Sequence, residues 1–316
     1  MNIKYTVIIP VFNAEKTIIR LLRSIFKLSK QPFEVIVVDD ASTDQTPNIV
    51  NNYQRIKLLR LEKNVGPALA RNIGAKESQT SWILFIDSDC SIPENSINYA
   101  FPSKKEQLDK IVGKMGVFDI KGRNSSSIGQ YKNMQRHFEI KAMRNPPEVF
   151  CSSCFTIKKE AYFKCGGFNE SFGNTPTEDN EFYFRLIKKN CFIKYDTNFS
   201  FFHNKKISLK KLFYDDFSRS KAIIKNIFGQ LGEKRSNLGG QEIIKWSIEL
   251  LTSFCIIVFI FLFPFSLLFL TKLFSKVLLL ISIVSISLIS LINFRFFKYS
   301  LNFGGIKMMF IHLILR

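Results

Sequence analysis

Trp82-Ile83-Leu84-Phe85-Ile86-Asp87-Ser88-Asp89-Cys90 is the stretch that decides the fold. Five apolar or aromatic residues in succession are the pattern of a strand buried on both faces of a parallel sheet, and two carboxylates one residue apart follow at once. In open α/β sheets the ligand crevice lies beyond the carboxyl ends of the strands, so Asp87 and Asp89 stand where a ligand is expected. Two hard oxygen donors at a rigid strand end suit Mg2+ or Mn2+, which bind through one or two carboxylates while substrate phosphates fill other positions. The plainer alternative is an Asp-Ser-Asp turn closing a core strand, and the neighbouring segments decide between the two.

Upstream, Thr6–Pro10 is a first buried strand, and Phe12-Asn13 begins the loop out of it. Asn13 suits the N-cap of a helix over Ala14–Leu28, whose Ile18, Leu21, Leu22, Ile25 and Phe26 form one apolar face. Phe33–Val38 is a second apolar run and ends in Asp39-Asp40-Ala41-Ser42-Thr43-Asp44. Strand, helix, strand order demands a right-handed crossover, and a parallel sheet follows. An acid at such a strand end can accept hydrogen bonds from a nucleobase edge or from ribose hydroxyls. Alternatively these aspartates only cap the helix expected over Pro47–Tyr53, a role that suits Asp44. Lys57–Leu61 is a shorter third strand, and Pro67 fits the first turn of the helix that follows, whose small residues permit close packing on the sheet. Arg71 on that helix can reach a pyrophosphate, pair with the strand-end acids, or lie on the surface. No Gly-rich phosphate loop occurs, so a nucleotide would be held by its base and by a metal on its phosphates.

Val7-Ile-Ile-Pro-Val-Phe-Asn13, Val35-Ile-Val-Val-Asp-Asp-Ala-Ser-Thr-Asp44, Asn64-Val-Gly-Pro-Ala-Leu-Ala-Arg-Asn-Ile-Gly74 and Phe85-Ile-Asp-Ser-Asp89 closely resemble, in order and spacing, the family 2 glycosyltransferases. The resemblance runs from about Thr6 to His203. It implies the GT-A fold, an α/β, Rossmann-like architecture with a mostly parallel central sheet flanked by helices. It also implies that Pro10 and Asp40 line the pocket for uracil or another base with Asp39 beside them, and that Asp87 and Asp89 form the DxD motif, with Asp89 the more direct metal ligand; Phe12, Arg71 and Asp87 are the further residues expected at the nucleotide-sugar site.

Further along, Ile111–Phe118 reads as a strand, Lys121–Gly129 as a basic, polar, mobile stretch, and Ser152–Ile157 as the strand beneath an acceptor cleft. Thr177-Glu178-Asp179 opens a helix that Thr177 suits as cap, with carboxylates favoured in the first turn by the helix dipole. Together with Gly166-Gly167-Phe168 it resembles the family's Gly-Gly-Phe and Glu-Asp motifs, and that match assigns the catalytic base to Asp179. His203, after a strand at Asn198–Phe202, lies where some relatives place a further metal ligand; a lone histidine is otherwise a satisfied polar residue. The six cysteines include Cys151-x-x-Cys154, whose spacing relative to Cys165 and Cys191 fits no ordinary zinc finger, so small buried thiols are expected.

Hydrophobic residues make up 46% of a chain that is also 22% charged, so apolar residues must be concentrated somewhere. Leu251–Leu270 and Val277–Phe294 are uncharged runs close to the roughly 20 residues a helix needs to cross a bilayer. Lys234, Arg235 and Lys245 precede them, Arg295, Lys298, Lys307 and Arg316 follow, and Lys272 and Lys276 lie between. The positive-inside bias therefore puts the N-terminal domain on the cytoplasmic side of the cytoplasmic membrane, and Met1–Pro10 reads as a strand with no signal peptide before it. Ser208–Phe228 interleaves lysine and arginine with leucine and phenylalanine, as in a helix lying at a membrane surface, and Gly229–Gly240 reads as a linker. The expected organisation is a catalytic domain over 1–206, an interfacial helix and linker over 207–240, and a transmembrane helical hairpin within 241–316. A net charge of +19 finds its polyanion in membrane lipid, at about 1 kcal/mol per Lys or Arg near an anionic leaflet, and no nucleic-acid motif accompanies it.

The activity the resemblance implies is inverting transfer of a sugar from a nucleotide-diphosphate sugar, a UDP-sugar, to a hydroxyl of a lipid-linked or surface-glycan acceptor in polysaccharide assembly. A transferase acting on polyprenyl phosphate and a non-catalytic, membrane-tethered nucleotide-sugar-binding protein are the alternatives. A sugar nucleotidyltransferase would need a Gly-rich, Arg-containing phosphate loop, and Pro10–Asn13 has none.

Overall fold

The computed structural model of the chain describes residues 3–120, 126–143, 145–147, 150–172, 178–204, 207–208, 280 and 283–284. By its internal packing the chain divides into two units, Met1–Arg235 and Ser236–Arg316, and the elements below belong to the first. Among the described residues no helix is long and apolar enough to cross a membrane. The spans expected at 251–270 and 277–294, apart from Leu280, Ile283 and Val284, lie outside the described residues, as do Thr177 and, apart from Ser208, the interfacial helix expected over 208–228.

The described chain runs β1 (Tyr5–Val11), α1 (Ile18–Ile25), β2 (Glu34–Asp39), α2 (Thr46–Asn51), β3 (Ile56–Arg60), α3 (Pro67–Glu77), β4 (Trp82–Ile86) and the two-residue β5 (Cys90–Ser91). It continues through α4 (Lys104–Leu108), β6 (Ile111–Phe118), α5 (Ser127–Ala142), β7 (Cys154–Lys158), α6 (Lys159–Lys164), α7 (Glu178–Lys188) and β8 (Phe192–His203). The strands order as β3-β2-β1-β4-β7-β6-β8-β5. The first four are parallel, as their apolar runs and crossover helices require. The second half departs from the mostly parallel expectation. β7 runs antiparallel to both β4 and β6, and β5 antiparallel to β8, so the sheet is mixed. It remains consistent with the GT-A fold.

Every residue of β1 and β4 is buried, and α3 lies close against the sheet because Gly74 offers no side chain: a Cβ there would sit 2.5 Å from Ile8 Cγ2. Behind the carboxyl end of β4 an aromatic cluster joins β4, β7 and α7 with the loop residues Phe150 and Phe168. Phe85 stacks on Phe155 at 4.9 Å between centroids, Phe168 lies 4.6 Å from Phe182, and Phe150 meets Phe155 edge-on at 4.9 Å. Such pairs contribute about 0.5–1.5 kcal/mol each beyond the area they bury.

Three local expectations are corrected. The first helix begins at Ile18 and not Ala14, and Asn13 does not cap it. Asn13 takes the left-handed conformation (φ 49°), and the backbone N–H groups of Asn13, Ala14 and Glu15 are satisfied by Ser42 Oγ, Thr46 Oγ1 and Asp44 Oδ2 at 2.9, 2.8 and 3.1 Å. Asn13 Oδ1 in return accepts from Thr43 N at 2.9 Å. The loops after β1 and β2 thus interlock, and a hydrogen-bonded turn leads into the helix, Ala14 O accepting from Thr17 N and Ile18 N at 2.9 Å. Second, the part of 121–129 that is described, from Ser126 on, is the capped start of α5, with Gly129 N donating to Ser126 Oγ at 3.1 Å. Third, β8 is longer than Asn198–Phe202, because its first residues pair with the start of β6 through an alternation that solvent-facing polar residues interrupt.

Gly113 of β6 faces β7 so closely that a Cβ would run into the Thr156 carbonyl oxygen, a backbone atom that cannot swing aside. Gly113→Ala is expected to destabilise the domain by about 1–3 kcal/mol, read as a lower denaturation midpoint with an unchanged slope.

Candidate active site

The parallel strands carry acids to one rim. β2 ends at Asp39 with Asp40 next, β4 is followed by Asp87 and Asp89, and β1 between them ends at Pro10 and Val11, with Phe12 half exposed beyond. Asp40 is buried, and its carboxylate oxygens accept from Val65 N at 2.7 Å and Gly66 N at 2.9 Å, so it builds the turn that starts α3. Asp39 is fully buried; one oxygen accepts from Ser42 N at 3.1 Å and the other lies 3.4 Å from Arg60 Nε. Asp44 accepts from Thr46 N at 2.9 Å, two residues ahead of α2, whose N-cap position is held by Gln45 without a side-chain cap.

Arg71 is not on the surface. Its side chain is 4% exposed, with Nη2 2.7 Å from Asp87 Oδ1 and Nη1 3.6 Å from Glu178 Oε1. Its guanidinium lies over the Phe168 ring at 5.2 Å. Nε and Nη1 make no hydrogen bond among the described residues. Burial works against the charge of Arg71, but Asp87 and Glu178 more than compensate and hold it protonated. The next residue, Asn72, clasps the backbone of that same phenylalanine: Nδ2 donates to Phe168 O at 2.8 Å and Oδ1 accepts from Phe168 N at 2.9 Å. Gly166 and Gly167, with φ of 82° and 68°, give the loop the left-handed turns that bring Phe168 here. Gly167 has no room for a side chain, since a Cβ would lie 2.6 Å from Asn72 Oδ1.

α7 opens with Glu178 and Asp179. Glu178 is buried, and desolvation first, then the neighbouring Asp179, push its carboxyl up to about 7 against the pull of Arg71. Asp179 is half-buried, and its Oδ1 accepts from the backbone and side-chain nitrogens of Asn180 at 2.8 and 3.2 Å. Arg71 feels Asp87, Glu178 and Asp179 together, so the acid strand end and the acid helix start form one electrostatic unit.

Asp89 lies on the far side of Asp87 and faces β8. Its carbonyl accepts from Asn204 N at 2.8 Å, and its Oδ2 stands 3.4 Å from His203 Nε2. Cys90 and His203 are direct cross-strand partners. One donor atom each from Asp89, Cys90 and His203 falls within 4.8 Å of the others. A carboxylate and an imidazole at this separation fit a shared divalent cation.

The sequence reading singled out Asp87, Arg71 and Asp179 one by one, and the structure brings them into one network. It missed Asn72 and Phe168, which act together across a separation of 96 residues. Their signal was the Ala-Arg-Asn and Gly-Gly-Phe motifs themselves, which show no mutual contact until the chain is folded.

A mixed α/β sheet with paired acids at its strand ends defines the class. The sequence profile described as Glycosyl transferase family 2 matches residues 6–167, and the chain belongs to that family. The poly(ribitol-phosphate) β-N-acetylglucosaminyltransferase TarS of Staphylococcus aureus is 37% identical over 133 residues, 40% of this chain and 22% of TarS, so the chain spans about a fifth of that relative's length. An uncharacterized glycosyltransferase of Haemophilus influenzae is 27% identical over 222 residues, 65% of this chain and 70% of that one. Among solved structures, the mannosyltransferase PcManGT from Pyrobaculum calidifontis in complex with GDP-Man and Mn2+ shares the fold, with a TM-score of 0.55 at 17% identity over 74% of this chain and 65% of that one.

Glu178 ordinarily ionises near 4.5, so between that value and about 7 the folded chain holds more protons than the unfolded one. The stability this confers is complete below about pH 4.5 and is lost as pH rises through 7. Glu178→Gln, which carries no charge at any pH, is expected to gain melting temperature relative to the parent progressively across that window, as measured by thermal melts at matched ionic strength.

Proposed function

We propose that the chain is an inverting glycosyltransferase that moves a sugar from a UDP-sugar to a hydroxyl of a lipid-linked or surface-glycan acceptor. The observation that carries this reading is the Arg71 bridge, which ties Asp87 at the donor-side strand end to the Glu178-Asp179 helix start. In the reading, Pro10, Phe12, Asp39, Asp40, Arg71 and Asp87 form the nucleotide-sugar site, with Phe12 exposed beside the base and Asp40 shaping the wall through Val65 and Gly66. Asp89 and His203 hold Mg2+ or Mn2+, and their 3.4 Å separation supports it. A divalent ion there supplies charge opposite to that developing on the departing diphosphate. The mannosyltransferase that shares the fold carries GDP-Man and Mn2+.

Asp179 takes the proton of the attacking acceptor hydroxyl. Its neighbour Glu178, pushed up to about 7, is partly protonated near neutrality and eases the negative charge beside it, and Asn180 fixes its carboxylate through two hydrogen bonds. The name of TarS, a transferase onto a poly(ribitol phosphate), supports a polymeric surface acceptor. The apolar runs at 251–270 and 277–294 and their basic flanks support anchoring in the cytoplasmic membrane with the catalytic unit facing the cytoplasm and anionic lipid as a partner.

Membranes containing the chain, given a panel of nucleotide sugars and lipid-linked or polymeric acceptors, are expected to form a glycosylated product detectable by mass spectrometry, and chelation is expected to abolish it. Asp179→Asn should lose at least about 100-fold in turnover, within the usual contribution of a general base, while still binding UDP. Near-normal turnover by that variant would remove Asp179 from the role, and glycosylated polyprenyl phosphate as the only product would favour the alternative acceptor.

A further inference from the structure

The pairing of β5 with β8 places a third donor beside the cation site. Directly opposed residues of an antiparallel pair carry their side chains on the same face with Cβ atoms about 4.5–5.5 Å apart, and here the opposed pair is Cys90 and His203. Cys90 is fully buried, and its Sγ lies 3.7 Å from Asp89 Oδ1. The sulfur, the imidazole nitrogen and the carboxylate oxygen all fall within 4.8 Å of one another. In tetrahedral zinc sites the metal lies about 2.3 Å from sulfur and about 2.0 Å from nitrogen or oxygen, so small side-chain rotations close this set around one ion. The donors are then one soft, one intermediate and one hard, with a fourth position open. Magnesium and manganese prefer oxygen donors and gain little from a thiolate, whereas zinc gains strongly.

We propose that Cys90, His203 and Asp89 form a zinc-selective site in which the Cys90 thiolate is the ligand that sets the preference, so that Zn2+ displaces Mg2+ or Mn2+ from the rim. This rests on the reading that Asp89 and His203 hold a divalent ion. On ligation the Cys90 S–H bond breaks, its proton goes to solvent, and the sulfur electron pair is donated to the metal without any change of oxidation state. The arrangement is built into the backbone: Asn204 N on the Asp89 carbonyl and Asn133 Nδ2 on the His203 carbonyl, at 2.8 and 2.9 Å, fix both strands where the three donors meet.

Cobalt reports the thiolate directly. The purified full chain titrated with Co2+ is expected to develop an intense near-ultraviolet sulfur-to-cobalt charge-transfer band, absent from Cys90→Ser. Zn2+ competing against a chromophoric chelator should bind the Cys90→Ser chain at least about tenfold more weakly, since even outer-shell partners of a metal contribute that much, while Mn2+ affinity followed by electron paramagnetic resonance is retained. Cys90→Ala repeats the test should a hydroxyl disturb the buried position. Cobalt that binds without the band, a band that survives in both variants, or unchanged zinc affinity would overturn the proposal and leave the divalent site standing. Failure of all three metals to bind, or binding that Asp89→Asn does not weaken, would remove the divalent site and this proposal with it.

Discussion

A guanidinium buried between two carboxylates governs this active-site rim. Arg71 comes from α3, Asp87 follows the end of the next element, β4, and Glu178 comes from the start of α7, much further along the chain. An unpaired charge so deeply placed would be very costly, so the geometry of all three segments is fixed by mutual compensation. The Phe168 ring under the guanidinium and the Asn72 amide on the Phe168 backbone extend the same constraint to the Gly-Gly-Phe loop. Burial, and Asp179 next to it, hold Glu178 toward neutrality against the pull of Arg71. Asp179 beside it is only half-buried.

The first half of the fold was legible because burial there is one-dimensional. Runs such as Val7–Ile9 and Val35–Val38 are apolar without interruption, as strands covered on both faces must be, and helices with a single apolar stripe separate them. The second half was harder to read. β7 and the short β5 reverse direction, β7 and β8 mix polar with apolar residues, and α5 carries Lys132, Arg136 and Lys141 among its buried Tyr131, Met134 and Ile140, a pattern without a clean period. Direction of pairing leaves almost no trace in a short strand, so the mixed sheet emerges only from the three-dimensional register.

The site shows the same division. Asp87, Asp89 and Asp179 were visible because charge at the end of an apolar run, or in the first turn of a helix, is conspicuous. The surroundings were not visible. That Arg71 turns inward, that Asp40 spends its carboxylate on Val65 and Gly66, and that Asn13 leaves α1 to hold Thr43 all depend on partners 15 to 30 positions away or more. Single residues announce their chemistry; the side to which they apply it is a property of the folded chain.

The interlocked loops after β1 and β2 bear on how such a chain can be remade. Ser42, Thr46 and Asp44 supply acceptors to the backbone of Asn13, Ala14 and Glu15, so neither loop carries a complete set of hydrogen bonds alone. A chimera that borrows only one of them from a relative would inherit orphaned amide groups at the strand ends. The two loops form a single transplantable cassette, and they travel together or not at all.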